Sequence, residues 1–126
     1  MQLLPVTAPK DYDVRLRNGS SQYEGRVDVR YEGQWGAICD NGWDINDAMV
    51  ICRQLGYTSA LRPTIDSAYP PSSENSLLWL DFVSCRGNES SIQFCAHSGW
   101  GETFCNTNNE AGVICTSKRL PYNVVQ

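Results

Sequence analysis

Residues 44–55 read DINDAMVICRQL and carry the clearest structural pattern in the chain. Apolar side chains recur there at the i, i+3, i+4 and i+7 spacing of an amphipathic helix, at Ala48, Ile51, Cys52 and Leu55. Asp44 is a suitable N-cap, and Asp47 suits the positive end of the helix. Gly56 is placed to end it. The pattern predicts one well-defined helix with a single buried face.

On the N-terminal side of this helix the pattern changes to the two-residue period of β-strands. Residues 25–31 (GRVDVRY) alternate apolar and polar side chains, and residues 14–17 alternate in the same way. Each segment is followed by a glycine-containing turn, and residues 34–38 continue as a partner strand. We therefore expect a β-meander with one face buried.

On the C-terminal side the elements are shorter. Residues 58–76 contain three prolines and several serines, which predicts a long exposed loop. Residues 77–83 (LLWLDFV) form a dense apolar run typical of a buried strand. Residues 90–96 are expected to form a short helix and residues 111–115 a final strand. No internal repeat is visible, so the sequence predicts one copy of one domain.

The length and charge of the chain limit its class. A chain of 126 residues fits a single core, and we expect the domain at residues 13–116, between linker-like tails at 1–12 and 117–126. No apolar run approaches the roughly 20 residues that span a bilayer, so we expect no membrane insertion. No secretion signal is visible, which suggests a piece of a larger chain. A net charge of −4 argues against nucleic-acid binding.

The cysteines point to an oxidising compartment. There are six, none lies in a C-x-x-C pair, and they are widely spaced, which favours a disulfide framework. Counting alone leaves the connectivity open. Sequons at Asn18 and Asn88 are candidate glycosylation sites and agree with secretion. We expect an extracellular location, either secreted or in the ectodomain of a membrane protein.

Motif fragments follow one another in a fixed order along most of the chain. They lie around the first cysteine, along the helix, and after the long loop, at residues 33–36 (GQWG), 39–44 (CDNGWD), 50–57 (VICRQLGY), 79–81 (WLD), 99–101 (GWG) and 110–115 (EAGVIC). In order and spacing, from about residue 13 to 116, these fragments resemble the scavenger receptor cysteine-rich (SRCR) family. The six-cysteine pattern is similar to that of its group A.

The resemblance implies both a fold and a disulfide pairing. The fold is α+β, a curved antiparallel sheet that cradles one main helix, with a short second helix and long loops. The implied pairs are Cys39–Cys105, Cys52–Cys115 and Cys85–Cys95. The second pair agrees with the residue pattern, because Cys52 lies on the buried face of the predicted helix.

Catalytic signatures are missing from the sequence. His97 is the only histidine, paired cysteines leave no thiolate beside it, and no G-x-S-x-G element is present. We therefore expect no enzymatic activity from this domain. The four tryptophans coincide with framework positions of the family, which favours packing over sugar stacking, at Trp35, Trp43, Trp79 and Trp100.

Calcium is the one cofactor that the resemblance suggests. Members of the family often bind Ca²⁺ through acidic residues just after the first cysteine and before the terminal Ala-Gly-Val, which here correspond to Asp40, Asn41, Asn109 and Glu110. Oxygen ligands are what Ca²⁺ requires. A second site would use Asp81, but its neighbour is Phe82. Because asparagine replaces carboxylate at two positions, we expect weak binding if any. The alternative is that these residues shape the loops.

Four arginines form the other candidate site, the arginine face: Arg15, Arg17, Arg26 and Arg30. Arg15 and Arg17 share one side of their predicted strand, and Arg26 and Arg30 share the polar side of theirs. Family members that bind polyanions use clustered arginines in a comparable region. Asp28 lies between two of the four, so a solvated face with ion pairs is the ordinary alternative.

These observations predict non-catalytic ligand recognition outside the cell. The resemblance implies binding of polyanions, bacterial surface polymers or extracellular proteins, in the manner of scavenger or innate-immune receptors. The alternative is a protein–protein docking module of an adhesion receptor, or of an extracellular protease or oxidase. The parent protein would then be an enzyme although this domain is not.

Overall fold

The computed structural model of the chain describes residues 8–71 and 77–119. Within them, strands form one curved sheet: β1 (Val14–Asn18), β2 (Glu24–Tyr31), β3 (Gln34–Ile38), β4 (Ala60–Thr64), β5 (Leu78–Leu80) and β6 (Gly112–Cys115). The α-helix α1 (Ile45–Gln54) follows β3, and 3-10 turns lie at Ile92–Phe94 and Thr107–Asn109. The α+β class is confirmed.

The helix begins with a complete capping box. The Asp44 side chain accepts the backbone N–H groups of Asn46 and Asp47, and the Asp47 carboxylate accepts the N–H of Asp44 at 2.8 Å. Gly56 ends the helix with φ of +94°, a conformation that glycine adopts readily. The face toward the sheet is buried, as the apolar spacing predicted, and includes Cys52.

Strand β2 lies at the centre of the sheet. It pairs antiparallel with β1, β3 and β6, while β4 pairs antiparallel with β6 at one edge. β5 instead runs parallel to β3. The expectation of a purely antiparallel sheet is therefore wrong at this strand. Because the chain passes through α1 and a long connection between β3 and β5, it has the length that a parallel crossover requires.

Two local expectations are corrected. The predicted loop at residues 58–76 contains β4, whose Pro63 is tolerated because β4 lies at the sheet edge; residues 72–76 lie outside the described part of the chain. The short helix expected at residues 90–96 is a single 3-10 turn, Ile92–Phe94, capped by the Ser91 side chain. The turn ends at Cys95, whose backbone is extended.

The core lies between the inner face of the sheet and α1. Its fully buried members come from β2, β3, α1, β5, β6 and the loops that follow β5, and include Val27, Val29, Ile38, Val50, Ile51, Leu80, Val83, Ile92 and Val113. Asp47 belongs to the same interior, and its Oδ1 accepts the N–H of Cys85 at 2.8 Å. This bond ties the start of the helix to the loop after β5.

Three disulfides complete the framework: Cys39–Cys105, Cys52–Cys115 and Cys85–Cys95. These are the pairs that the resemblance implies, and no cysteine is free. The second bond joins α1 directly to β6. Among the described residues, no helix is long and apolar enough to cross a membrane. The predicted tails lie partly outside the described residues, and the domain limits of 13–116 stay a prediction.

Candidate ligand-binding surface and calcium ligands

The strand register brings the predicted arginines together on the outer face of the sheet, away from α1. Arg17 lies directly opposite Arg26, and Arg15 lies opposite Asp28. Arg30 follows on the same side of β2. The expected proximity of the four arginines is therefore present in the fold, but the four guanidinium groups do not share one environment.

Arg26 is buried, with only 4% of its surface exposed. Its Nε and Nη2 donate to the two carboxylate oxygens of Asp28, at 3.0 and 3.1 Å, and its Nη1 donates to the Pro70 carbonyl at 3.0 Å. A guanidinium held in this way is not available to a ligand. The assignment of Arg26 to the ligand-contacting surface is wrong, because the loop after β4 covers it.

That covering loop is anchored at several points. The Pro70 carbonyl also accepts Nδ2 of Asn18 at 2.7 Å, and the Tyr69 hydroxyl donates to Glu24 at 3.0 Å. Burial, together with this carboxylate, raises the pKa of Tyr69 to about 12. At neutral pH the phenol stays protonated and keeps its hydrogen bond, so the loop remains attached to β2.

The other three arginines reach solvent to different degrees. Arg15 pairs with Asp28 at 3.2 Å and stacks over the Trp35 ring at 4.2 Å, yet 35% of its side chain is exposed. Arg17 is exposed, and Arg30 is half-buried and donates to the Pro9 carbonyl. Of these three arginines, only Arg17 presents its guanidinium without a partner recorded in the described residues.

A further arginine belongs to this surface and was missed from the sequence. Arg62 lies on β4 opposite Ile114, which itself lies opposite Glu24 of β2. Paired residues of neighbouring strands share a face, so Arg62 points to the same side as Arg26 and is exposed. Because the sequence predicts a loop at residues 58–76, it offers no strand alternation that would place Arg62.

Glu110 lies beneath the same surface rather than among calcium ligands. Only 4% of it is exposed, and Oε1 has no hydrogen-bond partner in the described residues. Burial raises the pKa of this carboxyl, and the nearby Arg26 guanidinium opposes the rise. Its electrostatic neighbours are Arg26 and Asp28, neither of which belongs to the predicted calcium ligands.

The expected first calcium site is reduced to a smaller cluster. Asp40 accepts the N–H of Asp66 at 2.6 Å and donates its own N–H to the Asn109 carbonyl at 2.9 Å. Nδ2 of Asn109 points to Asp66 at 3.4 Å. Asp66, in the predicted loop, was not identified from the sequence. The cluster offers two carboxylates and an amide, which is fewer than the six to eight oxygens that Ca²⁺ takes.

Asn41 belongs to a different group of residues. Its Nδ2 donates to both oxygens of Asp81, at 3.0 and 3.3 Å. Asp81 is fully buried, and its two oxygens also accept the N–H groups of Phe82 and Phe104, at 2.8 and 2.7 Å. A carboxylate engaged by loop donors in this way acts as a structural acceptor.

Another cluster of metal-binding residue types lies at Cys85, Glu89 and Cys95. Its two cysteines are joined to each other by a disulfide, so neither offers a thiolate. The Glu89 carboxylate accepts the N–H groups of Arg86 and Gly87, at 2.8 and 3.0 Å. This cluster therefore shapes its loop and provides no metal site.

The tryptophans are packed. Trp43 is buried and donates its indole N–H to the Gly112 carbonyl at 2.8 Å. Trp100 stacks on Tyr31 with ring centroids 4.2 Å apart, and Trp79 meets Tyr31 edge-on at 5.1 Å. His97 contacts the Trp100 ring at 5.2 Å. These contacts agree with the framework role that the sequence suggested.

A cavity of about 540 Å³ lies between the segment before β1, the end of α1 and residues 90–93. Gln54 connects its walls: Nε2 donates to the Tyr12 carbonyl at 2.9 Å, and Oε1 accepts the N–H of Ile92 at 3.0 Å. No residue predicted as a ligand-binding or metal site lines this cavity. The Gln54 side-chain amide already forms hydrogen bonds with backbone groups through both its nitrogen and its oxygen.

The two predicted glycosylation sites differ in their surroundings. Asn88 is exposed in the loop after Cys85. Asn18 is also exposed, but it has φ of +64° and its amide nitrogen is engaged by Pro70. Only Asn88 presents its amide without a hydrogen bond recorded in the described residues.

Comparison with known proteins agrees with this architecture. A family model described as the scavenger receptor cysteine-rich domain matches residues 17–116. The chain belongs to the SRCR family. The third SRCR domain of murine neurotrypsin has a TM-score of 0.72 and is 41% identical, covering 81% of this chain and 94% of that chain. The SRCR domain of mouse MARCO, solved in a dimeric form, has a TM-score of 0.67 and is 44% identical, covering 82% of this chain and 94% of that chain.

Longer proteins contain similar segments. Galectin-3-binding protein of Rattus norvegicus is 44% identical over 91% of this chain, and lysyl oxidase homolog 2 of the same species is 45% identical over 86% of it. The SRCR chain spans 20% of the first and 14% of the second. It therefore corresponds to a small part of these relatives.

Proposed function

We propose that this SRCR domain is a non-catalytic, extracellular ligand-binding module that recognises polyanions, including anionic polymers of bacterial surfaces. The observation that carries the proposal is the exposure of Arg17 and Arg62 on the outer face of the sheet, with Arg15 partly exposed between Asp28 and Trp35. Arg26 supports this surface from below and does not contact the ligand.

The spacing of these arginines suits a repeating ligand. Arg15 and Arg17 are two residues apart on β1, or about 7 Å. Arg62 lies on β4, and β6 and β2 separate β4 from β1, so about three strand spacings, roughly 14 Å, lie between Arg62 and Arg17. Guanidinium groups bind sulfate or phosphate oxygens through paired hydrogen bonds. A polymer with an anion on each repeat can bridge them, whereas a single phosphate cannot.

The proposal is tested by binding to immobilised dextran sulfate and to lipopolysaccharide. Arg17→Ala with Arg62→Ala should weaken binding by about tenfold or more, and added salt should weaken the wild type, because the contacts are charge-assisted. Arg86→Ala removes an exposed arginine elsewhere and is the matched control. Binding that the double variant and Arg86→Ala weaken equally would rule out this surface.

Protein docking is the second candidate function. It is favoured by the similarity to segments of galectin-3-binding protein and lysyl oxidase homolog 2, of which the matched region is a small share. In such a parent protein the domain would position a partner and leave any chemistry to another domain. Retained binding to extracellular proteins after loss of Arg17 and Arg62, with no binding to dextran sulfate, would favour this role.

Calcium would enter at Asp40, Asp66 and Asn109. Their oxygens fit a hard cation, but they are too few to hold one tightly, so the ion would need water or ligand oxygens to complete its shell. Titration calorimetry should find weak binding that Asp40→Asn abolishes and that Glu102→Gln, an exposed acidic residue elsewhere, leaves unchanged. Tight binding that survives Asp40→Asn would place the site elsewhere.

A further inference from the structure

The carbonyl oxygen of Pro70 lies where two side-chain donors of the outer face converge. It accepts Nδ2 of Asn18, at the end of β1, at 2.7 Å, and Nη1 of Arg26, on β2, at 3.0 Å. An amide N–H and a guanidinium N–H directed at one oxygen are also what a protein offers to an oxygen of a sulfate or phosphate group. The Pro70 carbonyl therefore occupies a position that suits an anion.

The guanidinium of Arg26 is already oriented for such an anion. Its Nε and Nη2 donate to the two oxygens of Asp28, which fixes the plane of the group. A guanidinium carries five N–H donors, so Nη1 and the second N–H of Nη2 form another fork at the end of the side chain. Pro70 engages Nη1 of this fork. Without Pro70, the fork can bind two oxygens of one anion.

The charges beside this position favour an anion. Arg17 lies directly opposite Arg26 and is exposed, and residues paired across antiparallel strands lie about 5 Å apart at their Cα atoms. Asp28 is shared with Arg15 at 3.2 Å, so one carboxylate faces two guanidinium groups. An anionic polymer held at Arg17 therefore presents its next charged groups close to the Pro70 carbonyl.

Residues 68–71, which we call the tip, supply this carbonyl and lie beyond the last firmly held residue of the loop. Ser67 forms two hydrogen bonds with the backbone of Glu110: its N–H donates to the carbonyl at 3.1 Å, and its Oγ accepts the N–H at 3.0 Å. Three of the four tip residues are exposed. The tip can therefore move away from the sheet while Ser67 stays attached to β6 through its neighbour Glu110.

Tyr69 is the residue that attaches the tip to the sheet. Its hydroxyl donates to Glu24 at 3.0 Å. Its ring lies over Gly112 of β6, where a β-carbon would come within 3.1 Å of the Tyr69 Cδ2 atom. The glycine thus leaves the space that the ring occupies. Tyr69 holds the tip in place while the Pro70 carbonyl accepts its two donors.

From these contacts we propose that the tip is an autoinhibitory cover over an anion-binding position. The Pro70 carbonyl occupies this position in the closed form, which keeps Arg26 from the ligand, and a sulfate or phosphate group of the ligand replaces the carbonyl when the tip moves away. The inference rests on the proposed function, and it adds Arg26 and Asn18 to the ligand contacts in the open form. A group on a polymer already held at Arg17 competes best with the carbonyl, because its local concentration is high. Such binding shifts the domain toward the open form.

The first test measures the access to Arg26 without any ligand. Phenylglyoxal modifies accessible guanidinium groups, and peptide mass spectrometry gives the rate at each arginine. Arg26 should react slowly in the wild type, and Tyr69→Ala should raise its rate about tenfold or more, because the variant loses a hydrogen bond to a charged group. Tyr69→Phe keeps the ring and should give an intermediate rate. The exposed Arg86 is the internal control, and its rate should not change.

The second test measures binding to dextran sulfate. Tyr69→Ala should bind it more tightly than the wild type, by about threefold to tenfold, because less of the binding energy is spent on opening the tip. Bound dextran sulfate should also protect Arg26 of this variant from phenylglyoxal. In the wild type, nuclear Overhauser contacts between the Tyr69 ring and Gly112 should weaken when short dextran sulfate fragments bind. This measurement needs no substitution, so it decides the matter even if Tyr69→Ala does not fold.

The outcomes separate this inference from the proposed function. An Arg26 rate that Tyr69→Ala leaves unchanged would show that the tip is not the cover. Equal binding of dextran sulfate by the wild type and the variant, or tighter binding without protection of Arg26, would overturn the inference and leave the exposed arginines as the binding surface. If neither protein binds dextran sulfate, the proposed function fails and the inference fails with it.

Discussion

Arg26→Met should destabilise the domain severely, although Arg26 lies among residues that look like a polar surface. Methionine keeps much of the apolar stem but removes the guanidinium. The change deletes three hydrogen bonds: two to the Asp28 carboxylate, at 3.0 and 3.1 Å, and one to the Pro70 carbonyl at 3.0 Å. Among the described residues, Asp28, which is 4% exposed, then keeps only the side-chain contact with Arg15 at 3.2 Å.

The magnitude follows from the charge that is left behind. Removing one partner of a buried ion pair costs about 3–5 kcal/mol of folding free energy, because the remaining charge has lost its water and its partner. Since Arg15 still reaches Asp28, we expect the lower end, about 3 kcal/mol. For a domain of this size that corresponds to a fall of roughly 12 °C in melting temperature. Glu110 adds to the loss, because Arg26 is the cation that opposes its burial.

Urea denaturation at neutral pH, with the disulfides intact, measures this free energy. Arg17→Met is the control: Arg17 faces Arg26 across the strand pair but is exposed, and its loss should change the free energy by less than about 0.5 kcal/mol. In a double-mutant cycle, Asp28→Asn added to Arg26→Met should cost less than the sum of the single changes. A loss below about 1 kcal/mol for Arg26→Met, or strict additivity, would refute this account of the outer face.

Three further predictions concern pH, glycosylation and the disulfides. Burial raises the pKa of Asp47 from 3.8 to about 6, so its contribution to stability is fully present below pH 3.8 and is lost as pH rises through about 6, by roughly 3 kcal/mol at most. Asp47→Asn should remove this part of the pH dependence of urea unfolding. In a secretory host, mass spectrometry should find glycan mainly at Asn88, and Asn88→Gln should remove more of it than Asn18→Gln. The third prediction compares the loss of two disulfides by replacement of both cysteines with alanine. In the chain-entropy model, losing the 10-residue Cys85–Cys95 loop should lower the free energy of unfolding by about 1.5 kcal/mol less than losing the 63-residue Cys52–Cys115 loop. An equal loss would contradict that model.

Local patterns were sufficient to predict the central elements. The apolar spacing and the capping residues placed the helix within one residue at each end, from Ile45 to Gln54. The alternation of residues 25–31 assigned the correct face of β2 to the core, since Val27 and Val29 are fully buried. Both signals are carried by residues close together in the chain, and the tertiary structure agrees with them.

The errors at β4, Arg26 and Asp66 depend on long-range contacts. β4 has no clear alternation and contains Pro63, so only its pairing with β6 makes it a strand. The polar face of β2 was identified, but the sequence does not say that the Pro70 loop covers Arg26 on that face. Asp66 lies close to Asp40 because the same loop folds back over the sheet. In each case a distant segment determines the environment of the residue.

Burial of charged residues also limits what the net charge says about the ligands that the domain can bind. A formal charge of −4 argues against a receptor for anions, but the described residues bury four carboxylates and only one basic side chain, with the acids at Asp28, Asp47, Asp81 and Glu110. Asp47 and Asp81 serve as acceptors for loop N–H groups, and Asp28 serves Arg26. Much of the negative charge therefore lies inside the domain, while Arg17 and Arg62 remain outside. Charges beyond the roughly 8 Å Debye length are largely screened at physiological salt. An anionic ligand on the outer face is therefore attracted by these arginines more than it is repelled by the net charge of the domain.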